Sequence, residues 1–175
     1  MKQLTVRIKG VLQSWGDYGG PTNFQSTNYK PTVSGIHGLL EAGMGIKRVE
    51  LERKARVENG VKVFVKEPET FPEIYTDFQV VSPKGTSIGK YLGKKKRPED
   101  MNMLPAAGGG YSTTGATKVI QKQYIVDQAF DIVLEGEDSL MEEVKYGLLH
   151  PYYQLALGKQ NCTASMVRII DEQDF

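Results

Sequence analysis

The chain has 175 residues, 39% hydrophobic and 25% charged, with a formal net charge of +1; this supports one domain, or one domain with an appendage, and a core that needs no covalent staple. A single cysteine, Cys162, beside His37 and His150 excludes a disulfide framework and a Cys/His zinc set, and fits a reducing cytosol. The opening MKQLTVRIKG is too polar for a secretory leader and no apolar run reaches a membrane span, so a cytoplasmic protein without cofactor, metal or membrane contact is expected.

Residues 3–9, QLTVRIK, alternate Leu4, Val6 and Ile8 with polar neighbours, the period of a half-buried strand. GVLQSWGDYGGP then reads as a turn-rich loop. Its Trp15, beside Gly16, is either a core residue or a surface on which a base stacks. Thr22 to Lys30 is polar and extended. Pro31 restricts Lys30 to extended geometry, and PTVSGIHGLLEAGMGI predicts a helix. Ser34 is the expected N-cap, and Ile36, Leu39, Leu40 and Met44 keep helical spacing. The stretch carries four glycines, each costing up to about 1 kcal/mol relative to alanine in a helix interior. Their expected reason is the close approach of another backbone, or of an anion at the first turn. Gly45 is a natural stop. The amides after Ser34, with Gly35 adding no side chain, form a candidate anion site, and Lys30 and His37 lie beside it.

VELERKARV and VKVFV flank Asn59-Gly60, which reads as a hairpin. Glu73 to Val81 is a further strand. Residues 82–117 lose core periodicity and read as a functional excursion. Within it, Lys84, Lys90, Lys94, Lys95, Lys96 and Arg97 give six positive charges with no negative one between residues 84 and 97. Such a run suits a polyanion or is simply solvated. TKVIQKQYIVDQAFDIVLEG predicts one long strand or two. Residues 131–143 hold six negative charges and no positive one, which suggests a separate acidic surface. Ser139 opens a helix with a capping box to Glu142. YYQLAL and MVRII read as closing strands. Lys159-Gln160-Asn161 follows Gly158 and offers one cation and two amides, as suits phosphate and base-edge contacts.

The order predicts an α+β protein, a ferredoxin-like β-α-β-β-α-β domain. That domain takes residues 1–81 and 118–165, an inserted β-hairpin takes 82–117, and a short carboxy-terminal strand or tail takes 166–175. Enzyme signatures are weak. GYSTTGAT lacks the lysine and helix of a P-loop. Ser14 is not in a nucleophile elbow. Cys162 reads as a packed thiol, since no partner is in place to activate it. His37, Tyr29, His150 or a lysine of the 94–96 run are the candidates for a metal-independent cleavage of RNA.

Five pieces in chain order carry a family resemblance. Ile8 to Gly16, IKGVLQSWG, is similar to L-x-G-P-x-Q-[SA]-W-G, with Val11 at the proline. Pro31 to Leu40, PTVSGIHGLL, and Met44 to Ile46 are similar to P-T-[KR]-S-G-[LV]-x-G-L-[LI] with its glycine-ended helix, Val33 standing at the basic position. Thr76 to Val81 is similar to the D-[YF]-x-x-V strand. Lys122 to Phe130 is similar to R-x-Y-L-x-D-A-x-F, with lysine for arginine. Leu157 to Cys162, LGKQNC, is similar to L-G-R-[KR]-S-C, with Gln160 at the second basic position. The chain thereby resembles the CasD ("Cas five") family of type I-E CRISPR Cascade complexes.

The resemblance implies an RRM-like (RAMP) domain with a protruding thumb at 82–117. It implies capping of the crRNA 5′ handle, contacts with the backbone and large subunits of a Cascade ribonucleoprotein in antiviral defence, and only indirect contact with target DNA. It implies a non-catalytic subunit; a type I-C branch that cleaves repeat RNA supplies the alternative. It also implies a carboxy-terminal region longer than this chain holds. Candidate RNA contacts are Trp15, Lys30, Ser34, Gly35, His37, Lys90, Lys94, Lys95, Lys96, Arg97, Lys118, Lys159, Gln160 and Asn161.

Overall fold

The computed structural model describes residues 1–16, 23–68, 70–81 and 118–174. Strand β1 (Lys2–Lys9) buries Leu4, Val6 and Ile8, as its alternation requires. Three further strands pair around it: β4 (Lys62–Val65), β7 (Ala129–Gly136) and β8 (Met166–Asp174). Their order is β4-β7-β1-β8, and every neighbouring pair is antiparallel. Helix α1 (Val33–Gly43) lies in the chain between β1 and β4, and helix α3 (Asp138–Leu149) between β7 and β8. Because each neighbour is antiparallel, β1 and β4 run parallel with β7 between them, and β7 and β8 run parallel with β1 between them. Two β-α-β crossovers are therefore interleaved in one sheet.

The core forms where the helices cover this sheet. Ile36, Leu39 and Leu40 of α1 and Leu140, Met141, Val144 and Leu148 of α3 join Leu4, Val6, Ile8, Phe130, Ile132 and Leu134 of the strands. The helices meet at glycines. A Cβ on Gly43 would lie 2.8 Å from the Gly147 carbonyl oxygen, and one on Gly147 would lie 3.0 Å from Met44 Cγ. Gly45, at φ +67°, is the left-handed residue that ends α1.

The chain divides into two compact units. The first takes Met1–Gly19, Ser26–Tyr75 and Gln123–Phe175 and contains the sheet just described. In it, β2 (Leu12–Gln13) pairs with the end of β6 (Lys118–Val126), Leu12 opposite Val126. The second unit takes Gly20–Gln25 and Thr76–Lys122. Its described part holds β3 (Phe24–Gln25), parallel to the start of β6 with Phe24 opposite Gln121, and most of β5 (Ile74–Val81), a strand that also pairs β6. The expected boundaries at 81 and 118 fall at the end of β5 and the start of β6. The expected thumb, 82–117, lies outside the described residues.

Four expectations are corrected. VELERKARVENG is not the first arm of a hairpin: Leu51–Gly60 is helix α2. Good helix formers and ion pairs at helical spacing, Glu50–Arg53 at 3.0 Å and Lys54–Glu58 at 3.6 Å, outweigh the Asn-Gly turn signal, which instead closes the helix. The N-cap of α1 is Thr32, whose Oγ1 accepts the Gly35 N–H at 3.2 Å, so Ser34 stands inside the helix. Helix α3 starts at Asp138, and no Ser139 capping box forms; Glu142 pairs with Lys2 instead. Of the two expected closing strands, the one at MVRII forms as β8, which pairs β1, but YYQLAL forms only an isolated bridge from Ala156 to Thr163.

The acidic run is not a free acidic surface either. Arg7 grips Asp131 with two hydrogen bonds of 2.7 and 2.8 Å, Arg56 grips Glu143 at 2.9 and 3.1 Å, and Gln3 reaches Glu135 at 2.7 Å. The Arg7 guanidinium holds the Asp131 carboxyl below its ordinary range.

Two predictions follow from this packing. Gly38 is exposed with open space where a Cβ would go, so Gly38→Ala stabilises by about 0.5–1 kcal/mol, whereas Gly43→Ala, forced onto the Gly147 carbonyl, destabilises by about 1–3 kcal/mol; chemical denaturation of both variants reads the difference. A carboxylate whose folded pKa is depressed contributes stability above its unfolded pKa, about 3.9, and loses it as pH falls through the folded value. Arg7→Met therefore lowers stability by about 0.5–1 kcal/mol at neutral pH and by progressively less as pH falls below about 4, as thermal melts across that range will show.

Candidate functional site

The site is built around the strap that follows β2. Trp15 is fully buried. Its Nε1–H donates to Gln13 Oε1 at 3.2 Å, and Gln13 Nε2 donates to the Gln128 carbonyl at 2.5 Å. Its backbone N–H donates to Thr27 Oγ1 at 2.8 Å, and its carbonyl accepts the Asn28 N–H at 2.7 Å. The indole packs on the first turn of α1. A Cβ on Gly35 would lie 2.8 Å from Trp15 Cε3, so this glycine is the seat of the tryptophan. The stacking expectation for Trp15 is thus corrected: the ring has no free face, because the core holds it.

On the other side of the strap is the turn Leu157 to Cys162. Ser14 N–H donates to the Leu157 carbonyl at 3.1 Å, Leu157 N–H to the Cys162 carbonyl at 2.7 Å, and Cys162 N–H to the Lys159 carbonyl at 2.9 Å. Gly158 has φ +86°, and a Cβ there would lie 1.9 Å from the Ser14 carbonyl oxygen. Only glycine satisfies both the left-handed backbone and that contact. Burial pushes the Cys162 thiol up while the Lys159 charge pulls it the other way, so the net shift is away from the reactive thiolate.

The strap, the start of α1 and the turn enclose one cavity of about 390 Å³. Ser14 and Gly16 come from the strap, Thr32, Ser34 and Gly35 from the helix start, and Gly158 and Lys159 from the turn. The first turn of α1 carries no acidic residue and brings the positive end of the helix dipole to this cavity. The Lys159 ammonium stands 5.6 Å from the centre of the Tyr124 ring, and Asn161 Nδ2 donates to the Tyr124 hydroxyl at 3.3 Å. Aromatic face and amide together brace this turn. Amide dipole, hydroxyls and one cation, with no carboxylate among them, suit an anion the size of a phosphate.

The cavity unites three of the expected residues, Ser34, Gly35 and Lys159. Gln160 and Asn161 are exposed on the same turn. Lys30 lines a neighbouring cavity and pairs with Glu67 at 2.5 Å. His37 is buried, its Nε2 3.0 Å from the Val61 carbonyl. It ties α1 to the start of β4, which corrects its reading as a ligand contact. Lys90, Lys94, Lys95, Lys96 and Arg97 lie outside the described residues, as does the side chain of Lys118. Sequence reasoning missed Ser14, Gly16, Thr32 and Gly158 as lining residues. Thr32 was legible as an alternative cap two positions before Ser34; the demand on Gly158 depends on where Ser14 comes to rest. Among the described residues no His/Cys/Asp/Glu group is placed to hold a metal ion, and no helix is long and apolar enough to cross a membrane.

The chain is 26% identical over 166 residues to the CRISPR system Cascade subunit CasD of Escherichia coli (strain K12), covering 91% of this chain and 66% of that protein. It is similar in fold, with a TM-score of 0.69 and 22% identity, to a chain of a solved CRISPR RNA-guided surveillance complex, covering 95% of this chain and 61% of the other. The chain therefore spans about two thirds of the length of these relatives. Residues 3–173 match the family described as CRISPR-associated protein (Cas_Cas5). The three motifs that line the cavity, its fold and this match across nearly the whole chain lead to one conclusion: the protein belongs to the CRISPR-associated Cas5 family.

Proposed function

We propose that this chain is a non-catalytic subunit of a Cascade-type CRISPR ribonucleoprotein, and that it binds and caps the 5′ handle of the crRNA. Its interleaved crossovers are taken as the ferredoxin-like body, with 82–117 as the thumb, and its protein partners as the backbone and large subunits. Target DNA is met only through the assembled complex. The observation that carries the reading is the convergence of QSWG, PTVSG and LGKQN around one carboxylate-free cavity of about 390 Å³. A phosphodiester seated there gains the amide dipole of α1, a hydrogen bond from Ser34, and the Lys159 charge.

Cleavage is not favoured by the same geometry. A metal-independent ribonuclease needs a group that takes the 2′-hydroxyl proton. The described lining offers hydroxyls and one ammonium. His37 is turned into the core, and the His150 ring lies tilted against Tyr146, their centres 4.9 Å apart, beyond the end of α3. Incubation of the pure chain with its own repeat RNA in EDTA is expected to leave the RNA intact; a unique product would establish the enzyme instead.

Binding is tested with RNA that carries the 5′ handle of the chain's own array, titrated at several salt concentrations. Lys159→Ala is expected to weaken binding roughly tenfold at low salt and to flatten the salt slope by about 0.7, the loss of one phosphate contact on a single strand. Lys145→Ala, which removes a cation engaged with Glu172, is expected to change neither. Equal slopes for wild type and Lys159→Ala would remove the phosphate from this cavity.

A further inference from the structure

Beside the phosphate cavity lies a second one of different character, about 540 Å³ in volume. Thr32 lines both. Its walls are Tyr29, Val33 and Phe71, with Pro31, Pro68 and Pro72 around them, and its polar groups include the Lys30–Glu67 pair. Three of the apolar side chains are exposed to a degree that folding alone does not explain: Tyr29 is 54% accessible, Val33 51% and Phe71 77%. The two rings stand 4.7 Å apart, tilted at 46°, and both remain largely accessible. Proline fixes φ on both sides of the cavity, which holds the walls stiff at little entropic cost.

We propose that this cavity receives an unpaired nucleobase, the one attached to or next to the phosphate at the start of α1. The inference rests on the RNA reading above and extends it from the backbone to a base. Flat apolar faces favour a neutral planar ring over a second phosphate, and Glu67 disfavours an anion while accepting from a base N–H. Lys30 supplies the matching donor. Continuity through Thr32 sets base and phosphate on neighbouring positions of one strand. Val33, where the resembled motif carries a cation, fits the same picture: its side chain is apolar and lines the base cavity, so the charge has been exchanged for contact area.

The test uses the 175-residue chain and two RNAs of equal length, one with bases and one abasic at the handle positions, together with a third that carries 2-aminopurine there. The double variant Tyr29→Ala/Phe71→Ala is expected to bind the base-bearing RNA about tenfold more weakly, within the range for one stacked base, and the abasic RNA as well as wild type does. Its salt slope is expected to stay that of wild type. Both side chains are exposed, so the fold survives, which circular dichroism will verify; Tyr29→Phe/Phe71→Trp is expected to retain affinity. Aminopurine fluorescence is expected to be quenched on wild type and to recover on the double variant. Equal affinity of wild type and double variant for the base-bearing RNA overturns the proposal, as does unchanged RNA binding with failure to assemble with a protein subunit. If wild type binds neither RNA, the RNA reading itself falls, an outcome distinct from a double variant that merely matches wild type.

Discussion

The contact between the Trp15 indole and Gly35 organises the functional half of the molecule. A helix start and an irregular strap have no intrinsic reason to be neighbours. Here a large ring is buried completely, and burying such a side chain is worth about 1.5–3 kcal/mol or more. It is accommodated because residue 35 has no side chain. With the ring seated, the carbonyl of Ser14 is aimed at Gly158, and the turn that carries Lys159 is drawn to the amide end of α1. Any side chain at either glycine displaces one wall of the cavity. The packing thus comes first and the electrostatics follow from it.

The glycines of α1 divide into three physical kinds. Gly35 receives the tryptophan, Gly43 lets α3 approach to backbone contact, and Gly45 closes the helix in a left-handed conformation. Gly38 does none of these, and nothing in the described structure explains it. Cavity and scaffold are joined in one helix: its amino end presents dipole and hydroxyl to the cavity, and its carboxyl end packs against α3.

Charge is distributed by the same economy. The acids of residues 131–143 look like a patch in sequence, yet strand pairing delivers Arg7 to Asp131 and helix packing delivers Arg56 to Glu143. Near the α1 start stand the partial positive charge of the amides and the Lys159 ammonium. Beside it, the tyrosine–phenylalanine cavity is nearly neutral, its lysine already matched by Glu67. The two cavities share Thr32 and so lie side by side.

Local signals were legible wherever they depend on near neighbours. The alternation of Leu4, Val6 and Ile8, the spacing of Ile36, Leu39 and Leu40, and the extended runs of β5 to β7 report burial on one face, and the α+β class with its antiparallel sheet follows from them. So do the unpaired amides of the α1 start, because they are a property of any helix end. Asn59-Gly60 misled because a turn signal cannot say whether helix or strand precedes it. Trp15 and His37 misled for a different reason: composition shows that a residue is capable of touching a ligand, and only the fold shows whether it is already buried. The left-handed Gly158, the Thr32 cap, the place of Met166–Asp174 beside β1 and the meeting of three distant motifs around one cavity all arise from contacts between residues far apart in the chain, and such contacts are decided by the closing of the whole core.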